Sequence, residues 1–379
     1  MAGIHATGGS SGQELTRPNG RSGMQADALG RYFELVGEAW SRAKAGAQTC
    51  LERHYSVAGI AVQLQFAGPA LLPLMTAALA HLELERRNRA PGLTIRLWDA
   101  TSTGVAMPPA PIALEGFTLR GELNGFGDDQ RHVAYDRQGR TLSLYDRRNG
   151  LAWFCAHDAA IVPTYERGAP LRWIFGWLMR DHDRQVVHGA AIGTAQGGAL
   201  IVGRGGAGKS NTSVGCMLAG LHFIGDDFCA VTTMPRPTAY SLYSSAKLRT
   251  GDWARLSLPR MNRGDPETEK NLYDLHPRYA GQLKRHVALR AVLLPNRGSA
   301  PEPSFEPISP RLPLIEMASQ SIAMLPDAGA EAVAMLSSLV RRLPCYRFHL
   351  GARPALIPAA VSDLIQGLAA ADEACDSRA

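Results

Sequence analysis

The stretch that decides the fold runs from Val186 to Val231 and reads VVHGAAIGTAQGGALIVGRGGAGKSNTSVGCMLAGLHFIGDDFCAV. Inside it, Gly203 to Ser210 fits the pattern G-x-x-x-x-G-K-[ST], preceded by the apolar run 199–202 and followed by the helix-like run 212–219. Between a strand and a helix, the backbone N–H groups of such a loop point at phosphate oxygens. The segment therefore predicts a nucleotide-phosphate site rather than a turn that merely joins a strand to a helix, because the complete motif is present in this context.

The residue types of this loop suit phosphate binding. Glycines let the backbone approach an anion without Cβ clashes, Lys209 brings a compact positive charge to the outer phosphates, and Ser210 offers a hydroxyl to Mg2+. We therefore expect Lys209 to act in catalysis and Ser210 to be a metal ligand. The nucleotide is expected to contact every position of the loop: Gly203, Arg204, Gly205, Gly206, Ala207, Gly208, Lys209 and Ser210.

Two adjacent carboxylates end the next predicted strand, residues 221–224, in the sequence Gly225-Asp226-Asp227. Successive side chains of a strand point to opposite faces, so the two carboxylates differ in role unless the backbone bends between them. We assign Asp226 as the acceptor of the proton from an attacking hydroxyl and Asp227 as the second metal ligand. Strand alternation leaves the reverse assignment open.

A short polar segment, residues 193–198, separates the apolar run 186–192 from the run 199–202 that enters the loop. This spacing is typical of an antiparallel hairpin. The βαβ crossover expected in common P-loop NTPases needs about a dozen connecting residues or more. The sequence therefore predicts a mixed sheet.

In this order the residues resemble the HPr kinase/phosphorylase-like serine kinases, whose core is similar to that of ATP-dependent phosphoenolpyruvate carboxykinase. The likeness looks closest to the shorter relatives encoded beside peptide-maturation genes, including the kinases that phosphorylate lasso-peptide precursors. Weaker traces of it extend from about Tyr55 to Ile365. The segments that carry it are His188-Gly189, the hairpin, Gly203 to Ser210, Ala219-Gly220, Gly225-Asp226-Asp227 and Ser241 to Leu248.

The resemblance implies an α/β fold, with a mixed-sheet P-loop kinase core of HPr kinase/PEP carboxykinase type preceded by a smaller α+β domain. It further implies a kinase that uses ATP and Mg2+ and phosphorylates a Ser/Thr hydroxyl of a peptide or small protein, in particular a ribosomal peptide precursor of lasso type. The resemblance also implies that two residues outside the loop belong to the active site. His188 is expected to be catalytic through coupling to Asp226, and Lys247 to contact nucleotide phosphate or substrate.

Three alternatives stay open: a phosphoenolpyruvate-carboxykinase-like enzyme, a small-molecule kinase and a nucleotide-binding regulatory switch. A carboxykinase is disfavoured because the chain is short for one and about half of it precedes the loop. A pure nucleotide switch needs no base, so the presence of Lys209, Ser210 and both aspartates favours chemistry. The chain has no convincing match to the second motif of the bifunctional family members, and we therefore expect a kinase without strong phosphorolysis.

The chain's excess positive charge is concentrated after the acidic pair. Residues 236–290 carry 11 Lys and Arg and 5 Asp and Glu, and the whole chain has a net charge of +6. Since the segment lacks interleaved aromatic residues and known nucleic-acid motifs, contact with phosphate or an acidic peptide is favoured over nucleic acid. In the polar loop before Lys270, Glu267 or Glu269 could complete the metal shell.

With 379 residues, 45% of them hydrophobic, the chain is long enough for roughly two or three domains. We divide it into a disordered tail (1–26), a mostly antiparallel α+β domain with a leading helix (27–163), a P-loop kinase domain (164–370) and a frayed C-terminus (371–379). We expect a cytoplasmic protein without membrane contact, because the chain shows no signal-peptide core and no run near the ~18 apolar residues of a membrane span. The 6 cysteines show neither disulfide nor metal-ligand spacing. A homo-oligomer is left open.

Overall fold

The computed structural model describes residues 23–85, 90–109, 121–122, 127–249, 251–252, 256, 270–298, 300–325 and 329–376. Residues 1–22 of the expected tail lie outside these ranges, as do the two glutamates considered for the metal shell, Glu267 and Glu269.

The N-terminal part of the chain is a mixed sheet covered by a long helix, α1 (Gly23–Gly46). Its strands are β1 (Cys50–Val57), β2 (Ile60–Ala67), β3 (Leu93–Asp99), β4 (Arg131–Asp136), β5 (Thr141–Asp146) and β6 (Leu151–Ala156). They lie in the order β1-β2-β3-β6-β5-β4. The central strand β3 is parallel to both of its neighbours, and the outer pairs are antiparallel. The sheet is therefore mixed, and three of its five strand pairs are antiparallel.

Helix α1 packs on this sheet by its apolar face. Apolar side chains recur along it at three- and four-residue spacing, and Val36 is fully buried. The ring of Phe33 meets that of Trp153 edge-on, with centroids 5.9 Å apart, and Trp40 lies 6.4 Å from Trp98. The helix is thus part of the core of this first domain.

The short helices α2 (Leu72–Thr76) and α3 (Ala100–Thr103) lie between strands of the first sheet, and α4 (Thr164–Gly168) and α5 (Arg172–Arg180) connect the two sheets. The side chains of Trp173 and Ile174 on α5 belong to one hydrophobic cluster with Phe66 of β2 and with Tyr243, further along the chain. The hydrophobic core therefore continues across residue 163, where the domain boundary was predicted.

The second sheet contains most of the stretch 186–231. The strands of the C-terminal half are β7 (Gln185–His188), β8 (Ala190–Thr194), β9 (Gly197–Ile201), β10 (His222–Gly225), β11 (Phe228–Thr232), β12 (Thr238–Ser241), β13 (Ser245–Arg249), β14 (Lys270–Asp274), β15 (His286–Asn296), β16 (Ser304–Pro307) and β17 (Cys345–His349). The sheet has the order β10-β8-β9-β15-β12-β11-β7, and β17 pairs with β15 and β16. β8 and β9 form the predicted antiparallel hairpin, while β15 is parallel to β9 and β17. The prediction of a mixed sheet is confirmed.

Two short connections bring the ends of this sheet together. Gly189 alone separates β7 from β8, and Asp226-Asp227 separate β10 from β11, although these strands lie far apart in the order. The Gly189 N–H donates to the carbonyl oxygen of Asp227 at 3.1 Å. A Cβ at Gly189 would lie 2.9 Å from the carbonyl oxygen of Ile201, so glycine suits this crossing. The acidic pair therefore lies on a bend between strands, where strict alternation no longer applies.

The remaining helices are α6 (Lys209–Leu218), α7 (Arg311–Met324), α8 (Ala330–Arg342) and α9 (Ile357–Asp376). The stretch expected to fray from residue 371 thus continues α9 up to Asp376. Within the described ranges, Pro354–Ala374 is the segment long and apolar enough to cross a membrane. Its side chains Ile357, Val361 and Ile365 are buried in a cluster with residues of β8, β9 and β15. One side of α9 therefore packs on the second sheet.

Candidate active site

The glycine-rich segment forms a loop between β9 and α6. Gly203, Gly206 and Gly208 have φ angles of 140°, 82° and 111°, which residues with a Cβ rarely adopt. At Gly208 an added Cβ would also lie 2.7 Å from Cδ1 of Leu350. Because α6 begins at Lys209, its unpaired N-terminal N–H groups lie at the loop. The strand, loop and helix that the motif predicts are present in that order.

Lys209 is the cation of this loop. Its Nζ donates to the carbonyl oxygens of Gly203 at 2.6 Å and Arg204 at 3.3 Å. Burial lowers the pKa of Lys209, and the negative charges of Asp226 and Asp227 oppose that shift. The ammonium group is thus held over the loop by backbone acceptors and interacts electrostatically with both carboxylates.

Asp226 lies on the loop side of the bend and is 2% exposed. Its Oδ1 accepts a hydrogen bond from Ser213 Oγ at 2.9 Å, and its Oδ2 accepts one from the backbone N–H of Lys247 at 3.2 Å. The nearby Ser210 side chain also favours the charged carboxylate and so lowers its pKa. Burial, followed by repulsion from Asp227, outweighs these bonds and raises the pKa of Asp226 to about 6.

Asp227 faces the other side of the bend and meets two basic side chains. Its Oδ2 lies 3.0 Å from Nζ of Lys247, and its Oδ1 lies 4.0 Å from Nε2 of His188. Its side chain is 23% exposed. Burial by itself would raise the pKa of Asp227, but attraction to Lys247 and His188 outweighs burial and lowers the pKa to about 2. Asp227 is therefore an ionised carboxylate that solvent reaches.

His188 adjoins Asp227 rather than Asp226. Among the carboxylates of the described residues, that of Asp227 is the one within ion-pair distance of the imidazole. Burial lowers the pKa of His188 to about 4; attraction to Asp227 opposes this shift, and the charge of Lys209 adds to it. The ring is neutral at pH 7 and stacks on Phe228, with centroids 5.3 Å apart. The predicted coupling of His188 to Asp226 is wrong, because the bend turns the second carboxylate, not the first, toward β7.

The structure brings together the loop, the acidic pair, His188 and Lys247. Lys247 contributes its backbone N–H to one aspartate and its ammonium group to the other, so β13 crosses the site at the bend. Arg204 of the loop turns outward, and its Nε donates to Oε1 of Glu316 on α7 at 3.2 Å. Arg204 is therefore placed at the rim of the loop and not among the groups that point into it.

Sequence reasoning missed two residues that hold the site together. Ser213 lies one turn after Ser210 on α6, and helical i,i+3 spacing beside the acidic pair could have found it. Ser321 of α7 accepts a hydrogen bond from the backbone N–H of His188 at 3.1 Å. No local pattern marks Ser321, because it is 133 residues distant in the chain.

The donors beside the loop fit Mg2+. In the part of the chain that the structure describes, no group of three or more His, Cys, Asp and Glu side chains could hold a metal ion. Mg2+ needs no such group, since it keeps several waters and binds through one or two carboxylates plus substrate phosphates. The hydroxyl of Ser210, in the first turn of α6, and the carboxylate of Asp226, which is hydrogen-bonded to Ser213 of the same helix, supply hard oxygen donors at this position.

Comparison with known proteins finds matches among solved structures but none among family models or curated proteins. Among solved structures, the Hpr(Ser) kinase/phosphatase from Coxiella burnetii is similar over 51% of this chain and 96% of that protein's chain, with 15% sequence identity and a TM-score of 0.31. A likeness this distant carries no argument about family or activity, so the function rests on the geometry of the site.

Proposed function

We propose that this protein is an ATP-dependent kinase that transfers the γ-phosphoryl group to a Ser/Thr hydroxyl of a peptide or small protein. The observation that carries the proposal is the placement of two carboxylates on one bend, one beneath α6 beside the loop and one on the open side between two basic groups. A kinase needs both a cradle for the phosphates and an acceptor for the proton of the attacking hydroxyl. Following the resemblance, we propose a ribosomal peptide precursor of lasso type as the acceptor.

The loop side holds the nucleotide. The N–H groups at the start of α6 and the ammonium group of Lys209 bind its phosphates. A bound Mg2+ would supply positive charge that neutralises part of the charge of these phosphates. Ser210 and Asp226 are its protein ligands in this proposal. This exchanges the roles assigned from the sequence, because Asp226 and not Asp227 is the carboxylate that is hydrogen-bonded to α6, through Ser213.

Asp227 is then the proton acceptor. The acceptor oxygen forms a bond to the γ-phosphorus, its proton passes to the Asp227 carboxylate, and the bond from the γ-phosphorus to the bridging oxygen breaks to leave ADP. In the free protein, Lys247 and His188 hold the pKa of Asp227 at about 2 against the effect of burial, so the carboxylate is a weak base. The γ-phosphate of bound ATP would be a second anion near Lys247. Because Lys247 would then interact with both anions, its attraction to Asp227 would weaken and the pKa of Asp227 would rise.

The test is transfer of labelled γ-phosphate from ATP to synthetic peptides that contain one serine or threonine, with and without Mg2+. Wild-type protein should transfer only with Mg2+. Lys209→Ala should lose nucleotide affinity and about 10²- to 10³-fold in transfer, because it removes the charge that stabilises the phosphates. Lys44→Ala, on an exposed position of α1, is the matched control and should behave like wild type.

Each other outcome has a distinct meaning. Near-normal transfer by Lys209→Ala would overturn the assignment of the loop. Binding of ATP without transfer to any hydroxyl would favour a nucleotide switch. Transfer to small hydroxy compounds but to no peptide would favour a small-molecule kinase.

A further inference from the structure

The ribbon of β13 and β14 carries three basic residues on one face. Its antiparallel register pairs Lys247 with Leu272 and Arg249 with Lys270. Residues two apart in a strand share a face, as do residues directly opposite each other on neighbouring strands. Lys247, Arg249 and Lys270 therefore lie on the same face, and we call this set the basic ribbon.

Arg249 and Lys270 form a like-charge pair. Directly opposite residues of antiparallel strands have Cβ atoms about 4.5–5.5 Å apart, and like charges there destabilise the pairing. Among the residues that the structure describes, neither cation has a carboxylate within ion-pair distance, whereas Lys247 has that of Asp227. Asp274 lies on the same face but at its other end, opposite Ser245. An anion bound between Arg249 and Lys270 would remove their repulsion.

The basic ribbon extends from the candidate active site to solvent. At its inner end, Lys247 contacts Asp227, and its side chain is 18% exposed. At its outer end, Arg249 is exposed. Lys270 lies opposite Arg249 and two positions from Leu272, the residue that pairs with Lys247. Lys270 and Arg249 therefore lie together one step outward from Lys247 along the ribbon.

We propose that the basic ribbon binds an acidic side chain of the peptide acceptor, two residues away from the hydroxyl that is phosphorylated. From Lys247 to Arg249 is two residues of strand, or ~6.8 Å. An extended acceptor peptide covers the same distance between residues i and i+2, whose side chains point the same way. When the hydroxyl of peptide residue i lies at Asp227, the side chain of residue i+2 or i−2 therefore lies at Arg249 and Lys270.

This inference rests on the proposed kinase function and specifies its substrate class. The acceptor is a serine or threonine with Asp or Glu two positions before or after it. A nucleic acid suits the surface less well, because single-strand binding combines basic groups with aromatic faces. The residue that pairs with Lys247 is Leu272, which is buried near Gly168 of α4, and Tyr273 points to the opposite face and is also buried.

The experiment uses two peptide libraries with a central serine and otherwise random sequence, one with Glu and one with Gln at both positions two residues away. The quantity measured is kcat/KM for the Glu library divided by kcat/KM for the Gln library, because a general loss of rate cancels in this ratio. Wild-type protein should give a ratio of about five to ten, which falls as salt is added. Arg249→Gln and Lys270→Gln should each reduce the ratio to about two, and the double variant should bring it close to one.

Arg148→Gln is the matched control. It removes the same charge from the exposed turn between β5 and β6 and should keep the wild-type ratio. The reversed variant Arg249→Glu should prefer a library with Lys at the same two positions over the Glu library, a result that a merely structural role of Arg249 would not produce.

Equal use of the two libraries by wild type, or a ratio that survives in the double variant, would overturn the inference and leave the kinase function standing. Competition by a polynucleotide as strong as that by a Glu peptide would also overturn it. Absence of transfer to both libraries from bound ATP would overturn the inference together with the proposed function.

Discussion

Asp226 and Asp227 are adjacent in the chain, but the two sides of their bend differ in burial, partners and charge. Asp226 lies beneath α6, receives hydrogen bonds from Ser213 and a backbone N–H, and has a pKa raised to about 6 by burial. Asp227 reaches solvent, pairs with Lys247 and has a pKa lowered to about 2 by its basic neighbours in spite of burial. The comparison shows how the surroundings give one residue type two chemistries. The loop side is suited to hold a metal, and the open side to hold a base.

Among the variants that test this difference, Asp227→Asn should have the largest effect on phosphoryl transfer. The change keeps size and most hydrogen bonding but removes the proton acceptor, so transfer should fall by about 10²- to 10⁴-fold. Binding of Mg-ATP should persist, because the loop and Asp226 are unchanged. Single-turnover transfer beside a titration with ATP measures both.

Asp363→Asn, on an exposed position of α9, is the control for this variant and should transfer like wild type. If Asp227→Asn instead lost Mg2+-dependent binding of ATP and kept transfer at saturating nucleotide, the two carboxylates would have the roles first assigned from the sequence.

A smaller effect is expected from Asp226→Asn. A neutral amide is a poorer ligand for a hard cation, so the gain in ATP affinity on addition of Mg2+ should shrink by about tenfold or more. Titrations with ATP in Mg2+ and in excess chelator, carried out on this variant and on Asp227→Asn, give the comparison directly. An equal dependence on Mg2+ in both variants would show that neither side of the bend is specific for the metal.

The same two variants should change stability in opposite directions. The pKa of Asp226 in the folded protein is raised above the value of about 3.9 in an unfolded chain, so its favourable contribution is lost as pH rises through about 6. The pKa of Asp227 is lowered, so its contribution is present above the unfolded value and is lost as pH falls toward about 2. At pH 7, Asp226→Asn should leave the free energy of unfolding equal or higher, and Asp227→Asn should lower it by roughly 1–2 kcal/mol.

Urea unfolding of wild type and both variants measures these shifts. At about pH 4 the loss from Asp227→Asn should be smaller than at pH 7, because about half of the unfolded carboxyl is then protonated. Destabilisation of the same size by both variants at pH 7 would contradict the different surroundings of the two carboxylates.

The smallest effect is expected from His188→Ala. Because burial holds the pKa of His188 near 4, the ring is already neutral and has no proton to lose near pH 7. Loss of the ring that lies between Phe228 and Asp227 should lower the rate by a few-fold, and the pH profile of kcat should keep its shape between about pH 6 and 8. Phosphoryl transfer measured across this pH range checks both the rate and the profile. If kcat of wild type depended on a group with a pKa near 6.5, and this dependence were lost in His188→Ala, the imidazole would be charged, contrary to the prediction.

Several parts of the fold were predictable because their signals are local. The loop needs glycines at left-handed backbone positions, and Gly203, Gly206 and Gly208 have such φ angles. The hairpin of β8 and β9 follows from two apolar runs with a short polar link. The mixed sheet then follows from a hairpin that enters the loop.

Other parts were not predictable from the chain because they depend on distant contacts. Gly189 and Asp226-Asp227 each join two strands that are consecutive in the chain but lie near opposite ends of the strand order. These crossings depend on how the two ends of the sheet meet. The sequence predicts a domain boundary at residue 163. In the structure, one hydrophobic cluster contains both Phe66, before this boundary, and Trp173, after it. Ser321 lies on α7, 133 residues after His188 in the chain, and accepts a hydrogen bond from the backbone N–H of His188.

By itself the sequence determined that a glycine-rich loop opens a helix, that a hairpin precedes it and that two adjacent carboxylates close the next strand. Only the tertiary structure decided which carboxylate is buried beneath α6 and which meets Lys247 and His188. The physical reason is that a pKa depends on burial and on charges within a few ångströms, and those charges come from β7 and β13, which no spacing in the chain relates to the bend. The basic ribbon has the same origin, since Arg249 and Lys270 oppose each other through the register of two strands that 20 residues separate.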